Sequence, residues 1–246
     1  MGATGFGVDI GGSGIKGCVV DLVTGRLDGD RLRIPTPNPS TPDAVADVVA
    51  DIVAKFGWDG PVGVTLPAVV KKGVAHTAAN IDKSWVDTDA AALFGKRLER
   101  DVVVLNDADA AGVAEIRYGW PGDRDGVVVL LTFGTGIGSA LFLDGKLVPN
   151  TEFGHLEIDG HDAETRAAAS IKDEEGLSWE DWAHRVTRYI SGLENLIWPD
   201  LIIVGGGVSK KADKWLPLLD VRTKIVAAEL RNDAGIVGAA VAASGG

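Results

Sequence analysis

Asp9-Ile-Gly-Gly-Ser-Gly-Ile-Lys-Gly-Cys-Val-Val-Asp21 decides the architecture, because Thr132-Phe-Gly-Thr-Gly-Ile-Gly-Ser-Ala-Leu-Phe-Leu-Asp144 repeats its pattern half a chain later. Each segment carries a glycine turn between two apolar runs and ends in aspartate, and the two are equal in length. One such segment would be an ordinary hairpin. Two predict a duplicated unit.

Working outward from the first segment, residues 6–10 form a strand that stops at the glycines, and 15–22 form a second strand broken at Thr24-Gly25. Residues 31–34 supply a third strand, and the Pro-rich stretch 35–42 is a connecting loop. A helix follows, with Thr41 as N-cap and Pro42 at its first position. Val45, Val48, Val49, Ile52, Val53 and Phe56 recur at helical spacing along it. Residues 62–66 read as a strand, 71–85 as irregular and polar, and 88–99 as a helix leading into a strand at 102–105. Asn106-Asp107 caps a helix over 108–118, in which Asp109 reads as a solvated position. The second segment brings strands at 127–132 and 140–143. Ser178, with Asp181 three residues on, opens a long helix whose apolar face is Trp182, Val186, Tyr189, Ile190, Leu193 and Ile197. Pro199 ends it, 201–204 is a buried strand, and Gly205-Gly206-Gly207 makes another turn. An Ala- and Gly-rich helix spans 233–243.

Length and charge exclude several classes. A chain of 246 residues holds one large domain or two modest ones. A net charge of −11 argues against nucleic acid and anionic membrane as partners. The single cysteine, Cys18, excludes an internal disulfide and a cysteine-based zinc site. The start lacks the pattern of a signal peptide, and no apolar run is long enough to span a bilayer. A reducing, cytoplasmic setting is expected.

The three glycine turns suggest chemistry. Glycine lets main-chain N–H groups approach a ligand closely, and concave arrays of such groups bind anions, phosphates above all. A plain hairpin turn explains any one of them equally well. The three together, with Asp9, Ser13 and Lys16 around the first, favour phosphate. Gly12-Ser-Gly14-Ile-Lys-Gly17 matches a dinucleotide fingerprint, but that motif must open a helix, and here an apolar strand follows. No Gly-Lys-Ser/Thr P-loop is present. Asp107, just past a strand and at a helix start, reads either as a cap or as a positioned carboxylate.

Hairpins of this kind, occurring twice with helices between, resemble the duplicated α/β fold of the actin/hexokinase/Hsp70 (ribonuclease H-like) group, with two lobes around a cleft. Within that group the sequence resembles the ROK family of sugar kinases and repressors over nearly its whole length. The residues that carry the resemblance are Asp9-Ile-Gly-Gly-Ser-Gly-Ile-Lys16, Asn106-Asp-Ala-Asp-Ala-Ala111, Thr132-Phe-Gly-Thr-Gly-Ile-Gly138, Glu152-Phe-Gly-His155 and Ile203-Val-Gly-Gly-Gly-Val208. It implies lobes at 1–108 plus 233–246 and at 109–232, closing over a sugar. It implies phosphate binding by Asp9, Gly11, Gly12, Ser13, Gly14, Lys16, Thr132, Gly134, Thr135, Gly136, Gly205, Gly206 and Gly207. Sugar hydroxyls fall to Asn80, Asn106, Asp107, Glu152 and His155, with Asp107 as the base facing the 6-hydroxyl. Mg²⁺ is implied as cofactor and a homodimer as assembly. DNA-binding members carry a helix-turn-helix ahead of the first phosphate turn, and this sequence opens at that turn, which favours the kinase reading.

The sequence departs from the family after His155. The Cys-x-Cys-Gly-x-x-Gly-Cys zinc motif is missing from 160–170, so no protein metal site is expected, and Glu164 is the candidate for the sugar ligand that follows the motif. The missing cysteines, residues 77–85 and residues 198–211 are similar to those of actinobacterial polyphosphate glucokinases. Those enzymes phosphorylate glucose, and some of them mannose, from inorganic polyphosphate, and some also use ATP. Lys16, Lys71, Lys72, Lys83, Lys210 and Lys211 are candidates for guiding such a polyanion. The alternatives are a strictly ATP-dependent glucokinase or mannokinase and a non-catalytic sugar sensor.

Overall fold

The computed structural model describes residues 3–120, 122 and 125–245. Met1, Gly2, Pro121, Asp123, Arg124 and Gly246, which the expected lobes include, lie outside them. Two compact units emerge, Met1–Tyr118 with Asp233–Gly246, and Gly119–Asn232.

In the first unit, β1 (Thr4–Gly11) and β2 (Gly14–Asp21) pair antiparallel with Gly11 opposite Gly14. The strand that follows the glycines rules out the dinucleotide turn. Both β3 (Arg26–Leu27) and β4 (Leu32–Ile34) pair with β2. Helix α1 (Pro42–Phe56) starts with proline, where the missing N–H has no intrahelical partner to lose, and Thr41 sits at its N-cap without a side-chain capping bond. It buries Val45, Val49, Ile52 and Val53. β5 (Val62–Leu66) runs parallel to β1.

The stretch 71–85, expected to be irregular, contains a hairpin of β6 (Val70–Lys71) and β7 (Val74–Ala75) and a short turn of helix at Lys83–Trp85. Strands of two residues are too short to show an alternating pattern. Trp85 is fully buried, its indole N–H donating to the Ser40 carbonyl at 2.9 Å. α2 (Ala90–Leu98) leads into β8 (Val102–Asn106), parallel to β5. α3 (Asp107–Ala114) is shorter than the expected 108–118, because the chain widens into a π-type turn at Glu115–Gly119. Asp109 is 1% exposed, so its reading as solvated is corrected.

The second unit repeats the scheme. β9 (Val127–Phe133) and β10 (Ile137–Leu143) are antiparallel, and β11 (Lys146–Val148) pairs with β10. The small hairpin β12 (Glu157–Ile158) and β13 (His161–Asp162) precedes α4 (Glu164–Ala167) and α5 (Ala169–Glu174). Long α6 (Trp179–Ile197) opens as expected, Ser178 Oγ accepting from the Asp181 N–H at 3.0 Å. β14 (Leu201–Gly205) runs parallel to β9. A 3-10 turn at Gly207–Lys211, α7 (Ala212–Trp215) and β15 (Lys224–Ala227), parallel to β14, complete the unit. The strand order β3-β2-β1-β5-β8 in one sheet is matched by β11-β10-β9-β14-β15 in the other.

The chain then returns to the first unit as α8 (Ala234–Ala243). It lies so close to its neighbours that a Cβ on Gly63 would stand 1.8 Å from the Ala239 carbonyl oxygen, and one on Gly238 1.8 Å from that of Ala110. This packing against α3 keeps α3 within the first unit.

Candidate active site

In the first unit the expected phosphate residues gather at the carboxyl ends of β1, β5 and β8. Asp9 pairs in register with Thr65, and Thr65 with Leu105, two residues before Asp107. Open α/β sheets bind ligands at such strand ends. The Asp9 carboxylate accepts from the Thr65 hydroxyl at 3.0 Å on one oxygen, and the Lys16 ammonium lies 3.3 Å from the other. The same carboxylate lies against the first turn of α8, where a Cβ on Gly235 would come within 2.8 Å of it. A helix N-terminus favours a carboxylate there. The turn itself is braced by Arg33, whose guanidinium donates to the Ser13 carbonyl at 2.7 Å. Arg33 stands opposite Lys16 across β2 and β4. Sequence reasoning missed it, since nothing in the string places residue 33 beside residue 13. Asn80, with φ of 58°, brings its carbonyl close to Gly12, while its side chain is exposed.

Asn106 and Asp107 divide their tasks. Asn106 is buried, its Oδ1 accepting from the Ala108 and Asp109 N–H groups at 2.8 and 3.1 Å. Its amide donates to the Ala68 carbonyl at 3.1 Å. It is the N-cap of α3 and ties that helix to the loop after β5. Asp107, half-buried, has one carboxylate oxygen 2.9 Å from the Ala108 N–H.

In the second unit, Glu152, His155 and Glu164 are brought together. The Glu164 carboxylate accepts from the Ile137 N–H at 3.0 Å. Residue 136 is glycine, and a Cβ there would stand 2.3 Å from the same oxygen. The other oxygen of Glu164 lies 3.9 Å from His155 Nδ1, and Asp162 holds that nitrogen at 2.8 Å. Asp162 also accepts from the Glu164 N–H at 3.2 Å. It is a second residue that sequence reasoning missed. The hydrogen bond to Asp162 raises the His155 pKa above its ordinary 6.5 against an opposing effect of burial. Although Glu152 is exposed, the protein packed around its carboxyl raises its pKa, with Glu164 adding to the rise and His155 opposing it. The ligand-type atoms of His155, Asp162 and Glu164 lie within 4.8 Å of one another, and the contacts above account for them as a mutually held acid–imidazole cluster.

The second and third glycine turns are neighbours, since Gly205 stands opposite Thr132. Lys71, Lys72 and Lys83 are exposed on the first unit, and Lys210 and Lys211 on the second. Among the described residues no helix is long and apolar enough to cross a membrane.

Comparison with known proteins adds to this geometry. Residues 5–171 match the model of the ROK family. A polyphosphate glucokinase of Mycobacterium tuberculosis (strain CDC 1551 / Oshkosh) is 59% identical over 239 residues, covering 97% of this chain and 90% of that protein. The inorganic polyphosphate/ATP-glucomannokinase of Arthrobacter sp. strain KM has 55% identity and a TM-score of 0.94, with 98% of each chain covered. A ROK family glucokinase from Streptomyces griseus, solved with glucose and AMPPNP, gives 25% identity and a TM-score of 0.84, covering 99% of this chain and 100% of that one. The duplicated α/β fold is the one these kinases share.

Proposed function

This chain belongs to the ROK family, and from that premise we propose that it is a cytoplasmic hexose kinase. It transfers a phosphoryl group from inorganic polyphosphate, with ATP as a second donor, to the 6-hydroxyl of glucose and of mannose. The observation that carries the reading is Asp107, a half-buried carboxylate at the start of α3 whose neighbour Asn106 fixes the helix beneath it. Asp107 orients the sugar hydroxyl and takes its proton late in the transfer, a task that needs position more than an unusual pKa. Glu152, His155 and Glu164 bind hydroxyls of the sugar. Hydroxyl-matched polar groups reject sugars that leave them unpaired. Main-chain amides of the glycine turns, with Lys16 and Arg33, hold phosphate oxygens. The carboxylate of Asp9 is a hard oxygen donor suited to Mg²⁺, which when bound neutralises phosphate charge during transfer.

The test supplies each donor separately with glucose and with mannose. Glucose 6-phosphate formed from long-chain polyphosphate is expected. Turnover with ATP and none with polyphosphate would sink the donor assignment. Asp107→Asn is expected to lower kcat by about 10²–10⁴ with sugar still bound. A sugar sensor without catalysis predicts that this change leaves the protein's behaviour as it was.

A further inference from the structure

We propose that Lys172, Trp179 and Lys211 form a shelf on the second unit that carries a linear polyphosphate chain beyond the phosphates gripped at the glycine turns. The inference rests on the polyphosphate reading above and names the part of the protein that recognises donor length.

Both turns of this unit leave the same end of one sheet, because β9 and β14 are parallel neighbours with Thr132 opposite Gly205. α5 is fastened to the first of them. Ser170 donates its N–H to the Gly134 carbonyl at 3.0 Å and its hydroxyl to the Thr135 carbonyl at 2.9 Å. Lys172 follows two residues later, its side chain only 15% exposed. The other turn runs into Gly207–Lys211, tightened by the Ser209 hydroxyl on the Gly206 carbonyl at 2.8 Å, and ends on Lys211.

The two lysines, far apart in sequence, converge on one indole. Lys172 Nζ lies 4.2 Å and Lys211 Nζ 5.9 Å from the centre of the Trp179 ring, both within cation–π range. The ring is held by an aromatic wall behind the turns. Trp179 meets Trp182 at 5.9 Å, and Trp182 meets Phe133, the last residue of β9, at 5.8 Å and Trp215 at 4.8 Å. Trp215 in turn donates to the Val208 carbonyl at 3.4 Å.

Charge balance gives the shelf its purpose. Among the described residues, the one carboxylate in ion-pair distance of Lys172 is Asp173 at 3.7 Å, itself 85% exposed. Among the described residues, Lys211 has no carboxylate within ion-pair distance. In a protein of net charge −11, two ammoniums gathered on one ring with so little compensation call for an external anion. Ammoniums are point charges without a fixed fork, so they suit a repeating phosphate chain whose register on them can slide. A nucleoside triphosphate ends in sugar and base after three phosphates and offers such a shelf no further charge.

The test measures binding by the whole chain, using long-chain polyphosphate and tripolyphosphate as probes in equilibrium titrations. The double variant Lys172→Gln/Lys211→Gln is expected to lose about tenfold in affinity for the long chain and less than about twofold for tripolyphosphate. The loss shrinks as salt screens the charges. Lys172→Arg/Lys211→Arg is expected to keep most of the affinity. Should the double variant fold poorly, Lys211→Gln alone is expected to lose about threefold for the long chain. Unchanged long-chain affinity, or equal weakening of both probes, overturns the shelf. Wild-type protein that makes no glucose 6-phosphate from polyphosphate overturns the underlying reading instead, whatever the binding data give.

Discussion

His155 shows how one residue's surroundings set a pH response. The Asp162 carboxylate, 2.8 Å from Nδ1, favours the protonated ring, with Glu164 and Glu152 adding to it, while burial opposes it. A raised folded-state pKa fixes the sign. The stabilisation from the charged pair is complete below the ordinary value of 6.5 and is lost as pH rises through the higher folded value. Because His155 is half exposed, solvent screening keeps that contribution small. We predict that Asp162→Asn moves the His155 midpoint down toward 6.5, followed by NMR of the ring protons across pH 5 to 8. Sugar affinity is expected to change its pH dependence in the same sense. A midpoint that stays where it is in the variant would show that Asp162 does not hold the ring. The resemblance to the ROK family marked His155 and Glu152, yet Asp162 stayed hidden because an aspartate two residues after a turn looks like any surface charge.

At the scale of elements, caps and amphipathic faces were legible and tight three-dimensional fits were not. α6 begins where Ser178 and Asp181 said it would, and the apolar residues named for it are those it buries, with Ile197 half-buried at its end. The β6–β7 hairpin escaped because two-residue strands carry no period, and Arg33 because its partner Ser13 lies on another strand's turn. α3 combines both cases. Its start was readable from Asn106-Asp107, while its early end in the π-type turn and the burial of Asp109 were not, and it packs against α8, which arrives from the far end of the chain. Asn106 serves two backbone amides and one carbonyl at once. Losing an N-cap costs about 1 kcal/mol, and stranding a buried carbonyl adds about 1–3 kcal/mol. Asn106→Ala is therefore expected to destabilise by about 2–4 kcal/mol, seen as a lower urea midpoint. Asn106→Asp keeps the cap acceptor but turns a carboxylate oxygen toward the Ala68 carbonyl, so it should fall below wild type as well. A midpoint for Asn106→Ala within about 0.5 kcal/mol of wild type would mean that the α3 start does not depend on this side chain.

Across the whole molecule, duplication was visible because both copies preserve what a hairpin physically needs, two apolar runs and a glycine turn between them. The matched strand order of the two sheets confirms it. What composition could not reveal is how firmly the last helix belongs to the first unit. α8 is apolar on nearly every side because the sheet covers one face and α3 another. Gly238 is the sharpest point of that fit. By propensity alone, alanine in a helix interior should be better than glycine by about 1 kcal/mol. By packing, a Cβ at 238 would stand 1.8 Å from the Ala110 carbonyl oxygen, a backbone atom that cannot rotate away, so α8 and α3 would have to part. Overpacking of this kind costs about 1–3 kcal/mol and sometimes more, so packing is expected to win. Gly238→Ala should lower the thermal midpoint, and the loss should appear as faster amide exchange in α3, β1 and β5, the partners of α8, while β9 and β14 of the other unit keep their protection. An alanine variant as stable as wild type would show that α8 can sit further out than its glycines suggest. Asp107 at the start of α3 would then not owe its position to the end of the chain.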